Sequence, residues 1–170
     1  MSELKTEEPR HVISMLVDNE PGVLSRVAGL FSGRGFNIES LAVAPTIDPL
    51  VSRITVMVPG DEVILEQITK QVHKLVNVHK VSDLTSAPHV QRELALVRVN
   101  AQGEHRAEIL RIVDIFRGKI VDVSPQDYTI ELTGDQDKIE AMLSLLEKMG
   151  VIEIARSGVV ALQRSKKGVK

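Results

Sequence analysis

A short run of turn-forming residues interrupts the apolar pattern near the start of the chain. The apolar run Ile13–Val17 stops at "DNEPG", Asp18–Gly22, and a helix-like spacing follows at once. Glycine lets a ligand approach the backbone closely, and the N–H groups that begin a helix have no partner within it. The N–H groups of Gly22, Val23 and Leu24 are therefore predicted to form an anion site suited to a carboxylate.

The side chains around this junction indicate which anion would fit. Pro21 suits the first helical position, and the loop contains no Lys or Arg, so backbone dipoles alone would hold the anion. A zwitterionic amino acid matches such a site if its ammonium finds an acceptor, and Asn37 offers both a donor and an acceptor. In the plainer alternative, Asn19 or Glu20 only caps the helix and Asn37 only begins a strand. Local chemistry alone favours that alternative.

No other set of residues has the spacing of a catalytic or metal site. The five histidines are scattered, cysteine is absent, and no serine lies in a G-x-S-x-G elbow. The acidic pairs Asp61–Glu62 and Asp135/Asp137 begin predicted helices, where carboxylates favour the helix dipole. We predict no catalytic residue and no metal site.

Composition excludes several classes of partner. The 170 residues have a net charge of −2 and 2% aromatic residues, which disfavours a nucleic-acid-binding surface. The first ten residues lack the apolar segment of a signal peptide, and no apolar run is long enough to span a membrane. We predict a soluble, cytoplasmic protein with no nucleic-acid or membrane partner.

The elements that would position the junction follow the order β-α-β-β-α-β, and the same order occurs a second time. Alternating and 3.6-residue apolar periods define the strands and helices. This predicts an α+β protein with two ferredoxin-like βαββαβ domains. The predicted limits are a first domain at 10–85, a linker at 86–92, a second domain at 93–163, and flexible tails at 1–9 and 164–170.

Two finer predictions concern packing. Two helices on one face of a four-stranded sheet leave the other face needing cover, which a partner chain could supply. In the second half, the first helix is predicted to place its inner side at Ala107, Leu110, Val113 and Phe116, with Gly118 ending it.

The segment "HVISMLVDNEPGVLSRVAGLFSGRGFNIESLAVAPTIDPLVSRITVMVPGDE" resembles the ACT domain, a ligand-sensing module. Within it, "DNEPGVLSRVAGLFSGRGFNIESL" resembles one family, the regulatory small subunits of acetolactate synthase (acetohydroxyacid synthase). The segments "HVQRELALVRV", "DIFRGKIVDVSP" and "ARSGVVAL" are similar to the C-terminal domain of that family. The resemblance covers nearly the whole chain, from Arg10 to Leu162.

The resemblance implies a non-catalytic subunit in branched-chain amino acid biosynthesis. Its partner would be the acetolactate synthase large subunit, which carries thiamine diphosphate, Mg²⁺ and FAD, while this chain holds no cofactor. The small subunit would raise the activity of the large one and confer feedback inhibition by valine. Valine would lie at the interface of a homodimer of ACT domains. The implied contacts are Asn19, Gly22, Val23 and Leu24 of one chain with Asn37 and Ile38 of the other.

Two alternatives stay open. The chain could be a free-standing ACT-type sensor that controls another enzyme or transcription, although no helix-turn-helix or basic face is apparent in the sequence. It could also be a small enzyme on a ferredoxin-like fold, which the lack of a clustered nucleophile, base or metal set disfavours.

Overall fold

The computed structural model describes residues 8–165, which form two compact units. One unit contains the described residues up to Val90 and those from Ala161, and the other is Gln91–Val160. Each contains a four-stranded antiparallel path of strands with two helices. The α+β class and the doubled βαββαβ order are therefore confirmed. In the described part of the chain, no helix is long and apolar enough to cross a membrane.

The first unit follows the predicted order of elements. The elements are β1 (Arg10–Asp18), α1 (Val23–Gly33), β2 (Ser40–Pro45), β3 (Val51–Pro59), α2 (Glu62–Val72) and β4 (Val78–Asp83). The strands form an antiparallel sheet in the order β2-β3-β1-β4, so β1 is paired on both sides.

The second unit repeats this plan, and the short strand that follows it lies mostly in the first unit, which includes the residues from Ala161. The path of its sheet is β6-β7-β5-β8, and β9 pairs with β5 beside that path. A short 3-10 turn at Glu147–Met149 follows the last helix. The elements are β5 (His89–Asn100), α3 (His105–Ile115), β6 (Lys119–Val123), β7 (Asp127–Gly134), α4 (Gln136–Leu146), β8 (Val151–Arg156) and β9 (Val160–Gln163).

Each unit has its own core of mainly aliphatic side chains. In the first, strand residues that share one face pack against the apolar stripes of both helices, with Phe31 the one fully buried aromatic side chain. Because these strands alternate, every second residue reaches the same core. The buried set is Ile13, Met15, Val17, Val23, Val27, Phe31, Ile54, Val56, Val58, Ile68 and Val72.

The expectation that a partner chain covers the sheet face pointing away from the helices stays a prediction. Val12, Ser14, Thr55 and Met57 lie on that face and are at most 5% exposed. Ser14 also accepts a hydrogen bond from Nη1 of Arg53 at 2.7 Å.

The prediction of which residues of α3 face the core is wrong for the first half of the helix, where the buried residue lies one position before the predicted one. Ile109, Ile112 and Val113 are buried, whereas Ala107 is exposed and Leu110 is 46% exposed. Apolar residues occur around more than one side of this helix, so periodicity alone admits two faces. The predictions for Val113 and for Phe116, which packs against the second core, are correct.

The predicted linker and tails differ in part from the observed elements. β5 begins at His89, so residues 89–92 are in a strand and not in a connecting loop. The carbonyl of Pro9 accepts a hydrogen bond from the Gly60 N–H at 2.9 Å, which orders that end of the predicted tail. Residues 1–7 and 166–170 lie outside the described residues. The domain limits themselves stay a prediction.

Replacing Ile109 with Ala should destabilise the second unit by about 2–5 kcal/mol, because the side chain is fully buried. Leu110→Ala on the same helix is the matched control, with an expected loss below about 1 kcal/mol. Tyr128, the one tyrosine in a chain without tryptophan, lies in the second core and reports its unfolding by fluorescence in urea. Equal losses for the two variants would contradict the observed face.

Candidate functional site

The junction between β1 and α1 turns at Gly22. This glycine has a left-handed backbone conformation, with φ of 86°, and stands immediately before the first helical residue, Val23. Pro21 therefore precedes the helix. The prediction that it occupies the first helical position is wrong. A left-handed residue cannot continue a right-handed helix, so the helix can begin only after Gly22.

Two of the three N–H groups predicted to bind an anion are open. The N–H groups of Gly22 and Leu24 meet no acceptor among residues 8–165, whereas the Val23 N–H makes a long turn contact of 3.4 Å with the carbonyl of Glu20. The Val23 side chain is buried in the core, and Leu24 is 40% exposed. An added Cβ at Gly22 would meet no heavy atom within 4 Å, so there is space beside the backbone of this residue.

Asn19 fixes the loop and does not cap the helix. Its backbone N–H donates to the Leu50 carbonyl at 2.8 Å, and its side-chain amide donates to the Pro49 carbonyl, also at 2.8 Å. No side-chain hydrogen bond caps α1 at all. The plainer alternative, in which Asn19 or Glu20 is a helix cap, therefore does not describe this junction.

Within one chain, Asn37 and Ile38 lie far from this loop. They precede β2, whose first residue Ser40 is opposite Met57, and Met57 is opposite Val12 near the start of β1. The loop follows the other end of β1, and six residues of strand separate the two positions, about 20 Å. Asn37 is exposed, and Ile38 packs partly against the first core.

A polar network that the sequence did not predict lies next to the loop, at the end of β1. Asn77 donates to one carboxylate oxygen of Asp18 at 2.8 Å, and Nε2 of His79 lies 2.6 Å from the other. Nη1 of Arg26 on α1 donates to Oδ1 of Asn77 at 2.5 Å. The hydrogen bond from Asn77, followed by that from His79, holds the pKa of Asp18 below its usual value.

This network ties three elements together at one end of the sheet. Asp18 ends β1, Arg26 lies on α1, and Asn77 and His79 flank the first residue of β4. The Asp18 N–H also donates to the Asn77 carbonyl at 2.9 Å. Nothing in the sequence signals this arrangement, because the partners are about sixty positions apart. Among the residues described here, no group of three His, Asp or Glu side chains could hold a metal ion.

The fold and the junction define an ACT-type module in the first half. The family model described as "AHAS small subunit-like ACT domain" matches residues 13–80, and a second model, "Small subunit of acetolactate synthase", matches residues 92–165. The chain belongs to the family of acetolactate synthase small subunits.

Relatives and a solved structure match along almost the whole chain. The acetolactate synthase small subunit of Haemophilus influenzae is 53% identical over 161 residues, covering 94% of this chain and 99% of the relative. The isozyme 3 small subunit of Salmonella typhimurium is 54% identical over 159 residues, with 93% and 98% covered. The crystal structure of the Thermotoga maritima small subunit has a TM-score of 0.83 at 47% identity, with 94% and 99% covered.

Substituting Asn77 with Ala should raise the pKa of Asp18 toward its ordinary value of 3.8, and so should His79→Ala. A carboxyl with a lowered pKa contributes stability that is complete above its unfolded value and is lost as pH falls through the folded value. The parent should therefore keep this contribution to lower pH than the Asn77 variant. Carboxyl ¹³C NMR measures the titration, with Asn100→Ala as control. An unchanged Asp18 curve in both variants would refute the network.

Proposed function

We propose that this chain binds a catalytic acetolactate synthase subunit, raises its activity, and makes that activity subject to inhibition by valine. The observation that carries the proposal is the match of both halves, in order, to small subunits at more than 50% identity. Thiamine diphosphate, Mg²⁺ and FAD would belong to the large subunit, and the complex would work in cytoplasmic branched-chain amino acid synthesis.

The position of Asn37 supports a valine site shared between two chains. The open N–H groups of Gly22 and Leu24 suit the carboxylate of an amino acid, and the amide of Asn37 suits its polar end. Because the loop and Asn37 lie at opposite ends of β1, one chain cannot bring them to the same small ligand. A second chain, running antiparallel to the first, can do so.

The edge strand β2 provides the surface for such a pairing. Its neighbour in the sheet is β3, and among the described residues no strand pairs with its other edge. Leu41 and Val43 lie on the helix side of this strand and are 37% and 42% exposed. Two copies of β2 side by side and antiparallel would place the start of one strand beside the end of the other. That arrangement brings Asn37 and Ile38 of one chain toward the Asn19–Leu24 segment of its partner.

The side chains around this interface would select a small branched ligand. In the proposed pairing, Leu24 of one chain and Ile38 of the other would offer apolar surface beside the backbone groups of the loop. One methylene changes affinity by about 1–3 kcal/mol in an apolar pocket. Leucine and isoleucine would then be weaker effectors than valine and not inert ones.

A free-standing ACT-type sensor is the competing function. Mixing the purified chain with an acetolactate synthase large subunit discriminates between the two. Rate enhancement together with inhibition by valine supports the proposal. A chain that binds valine but neither associates with the large subunit nor changes its rate would be a sensor for another target, and the proposal would fail.

Gly22→Asp should abolish valine inhibition, because its carboxylate would occupy the place of the carboxylate of the ligand. Gly22→Asn is the matched control: it has the same shape and the same left-handed strain without the charge, and should retain more valine binding. Calorimetry of valine binding and enzyme rate against valine concentration measure both. If the two variants lose binding equally, charge is not the cause.

Asn37→Ala should weaken valine binding about ten- to hundredfold, because a lost hydrogen bond to a charged group costs about 1.5–3 kcal/mol. The side chain is exposed, so the fold should persist. The variant should still associate with and activate the large subunit. Calorimetry with the small subunit alone gives the affinity. A parent-like affinity would exclude Asn37 from the site.

The isolated chain should sediment at about twice its monomer mass, and Val43→Lys should shift it toward monomer by placing a charge at the paired edge. Val76→Lys, at a position that is 95% exposed and away from β2, is the control and should leave the dimer intact. Analytical ultracentrifugation at micromolar concentration makes the comparison. A monomeric parent, with and without valine, would contradict the shared site.

A further inference from the structure

The turn that joins β2 to β3 holds two large apolar side chains in solvent. Ile47 is fully exposed, and Leu50 is 75% exposed. The turn is nevertheless well bonded. The Thr46 N–H donates to the Val51 carbonyl at 2.8 Å, and the Leu50 N–H donates to the Asp48 carboxylate at 2.9 Å. An ordered turn of this kind becomes a contact surface if a partner presents apolar atoms at the same place.

This turn is bonded to the loop that carries the open N–H groups. The Asn19 N–H donates to the Leu50 carbonyl, and the Asn19 side-chain amide donates to the Pro49 carbonyl, both at 2.8 Å. The turn and the β1–α1 loop therefore form one bonded surface at one end of the sheet. A second molecule that covers the turn also lies beside the loop.

The pairing of two β2 strands is limited by which side of the sheet their residues face. Leu41 and Val43 are on the helix side, because they lie opposite Val56 and Ile54. Residues directly opposite each other in an antiparallel pair share a face. If the helices of both chains stay on one side, the two-fold axis must therefore pass through a residue position. For a pairing centred on β2, that position is Ala42 or Val43.

Both positions of the axis bring the same residue of one chain to the turn of the other. With the axis at Ala42, Ile38 of one chain lies opposite Thr46 of the second chain. With the axis at Val43, it lies opposite Asp48. Ile47 is the next residue in either case. Ile38 itself packs partly against the first core, so it presents an apolar surface of fixed position.

We propose that Ile47 packs against Ile38 of a second copy of this chain and covers the apolar side of the valine site. The contact rests on the proposed function, because it uses the β2 pairing and the shared ligand given there. It adds to the site a residue from the same chain as the open N–H groups. Ile47 excludes water from the place where the branched side chain of valine lies, and so contributes to affinity without a polar contact.

The test is a disulfide cross-link in the full chain, which contains no cysteine of its own. Ile38→Cys combined with Ile47→Cys should give a covalent dimer on mild oxidation, seen by non-reducing electrophoresis. Within one chain the six residues of β2 separate these positions by about 20 Å, and a disulfide needs Cα atoms within about 7 Å. The bond can therefore form only between chains.

Ile38→Cys combined with Val76→Cys is the matched control, because Val76 is 95% exposed and away from β2. This pair should give no covalent dimer. Equal cross-linking in the two pairs, or none in the pair with Ile47→Cys, would overturn the contact.

Ile47→Ala should raise the dissociation constant of the dimer about ten- to hundredfold, because each dimer loses apolar burial at two copies of the contact. Valine affinity should fall as well, whereas Val76→Ala should change neither quantity. The side chain is fully exposed in one chain, so the fold should persist, as circular dichroism would show. A parent that dimerises and binds valine, with Ile47→Ala behaving identically, would refute this contact and leave the proposed function standing. A parent that does neither would refute both.

Discussion

The pairing of β1 on both sides is the constraint on which the candidate effector site depends. β3 bonds to one edge of this strand and β4 to the other, so the chain that leaves it at Asp18 is held from two directions. The Asp18 N–H is bonded to Asn77 at the β4 side, and the Asn19 N–H to Leu50 at the β3 side. Because neighbouring segments lie on both sides of the chain at this point, the backbone turns out of the sheet toward the helix layer. The left-handed conformation of Gly22 provides that change of direction.

The site therefore derives its geometry from the sheet more than from the side chains of the loop. The N–H groups of Gly22 and Leu24 are open because the hydrogen bonds that hold the end of β1 fix the residue at which α1 begins. The antiparallel register of β3 with β1 and with β2 places Asn37 near the start of β1, at the end of the sheet opposite the loop. Under the proposed function, a ligand that binds both the loop N–H groups and Asn37 would contact two chains at once. It could act only by favouring one arrangement of the two chains over another.

Sequence reasoning succeeded where the signal is local. Strand alternation, the stripe of α1 and the turn at "DNEPG" each lie within a few residues, so the order of elements and the position of Gly22 could be predicted. It failed where the answer depends on distant partners. The α3 face was ambiguous because its apolar residues encircle the helix. The partners of Asp18 appear only once the strands are aligned.

The central place of β1 also has a consequence for synthesis on the ribosome. It is made before its partners, which are among the later segments: Ile13 is opposite Val56 in β3 and Asp83 in β4. Until those residues have left the exit tunnel, the apolar side chains of Ile13, Met15 and Val17 have no native sheet to join. The nascent chain must therefore carry an unpaired, aggregation-prone strand through most of the translation of its first half, which is the interval in which a chaperone would be needed.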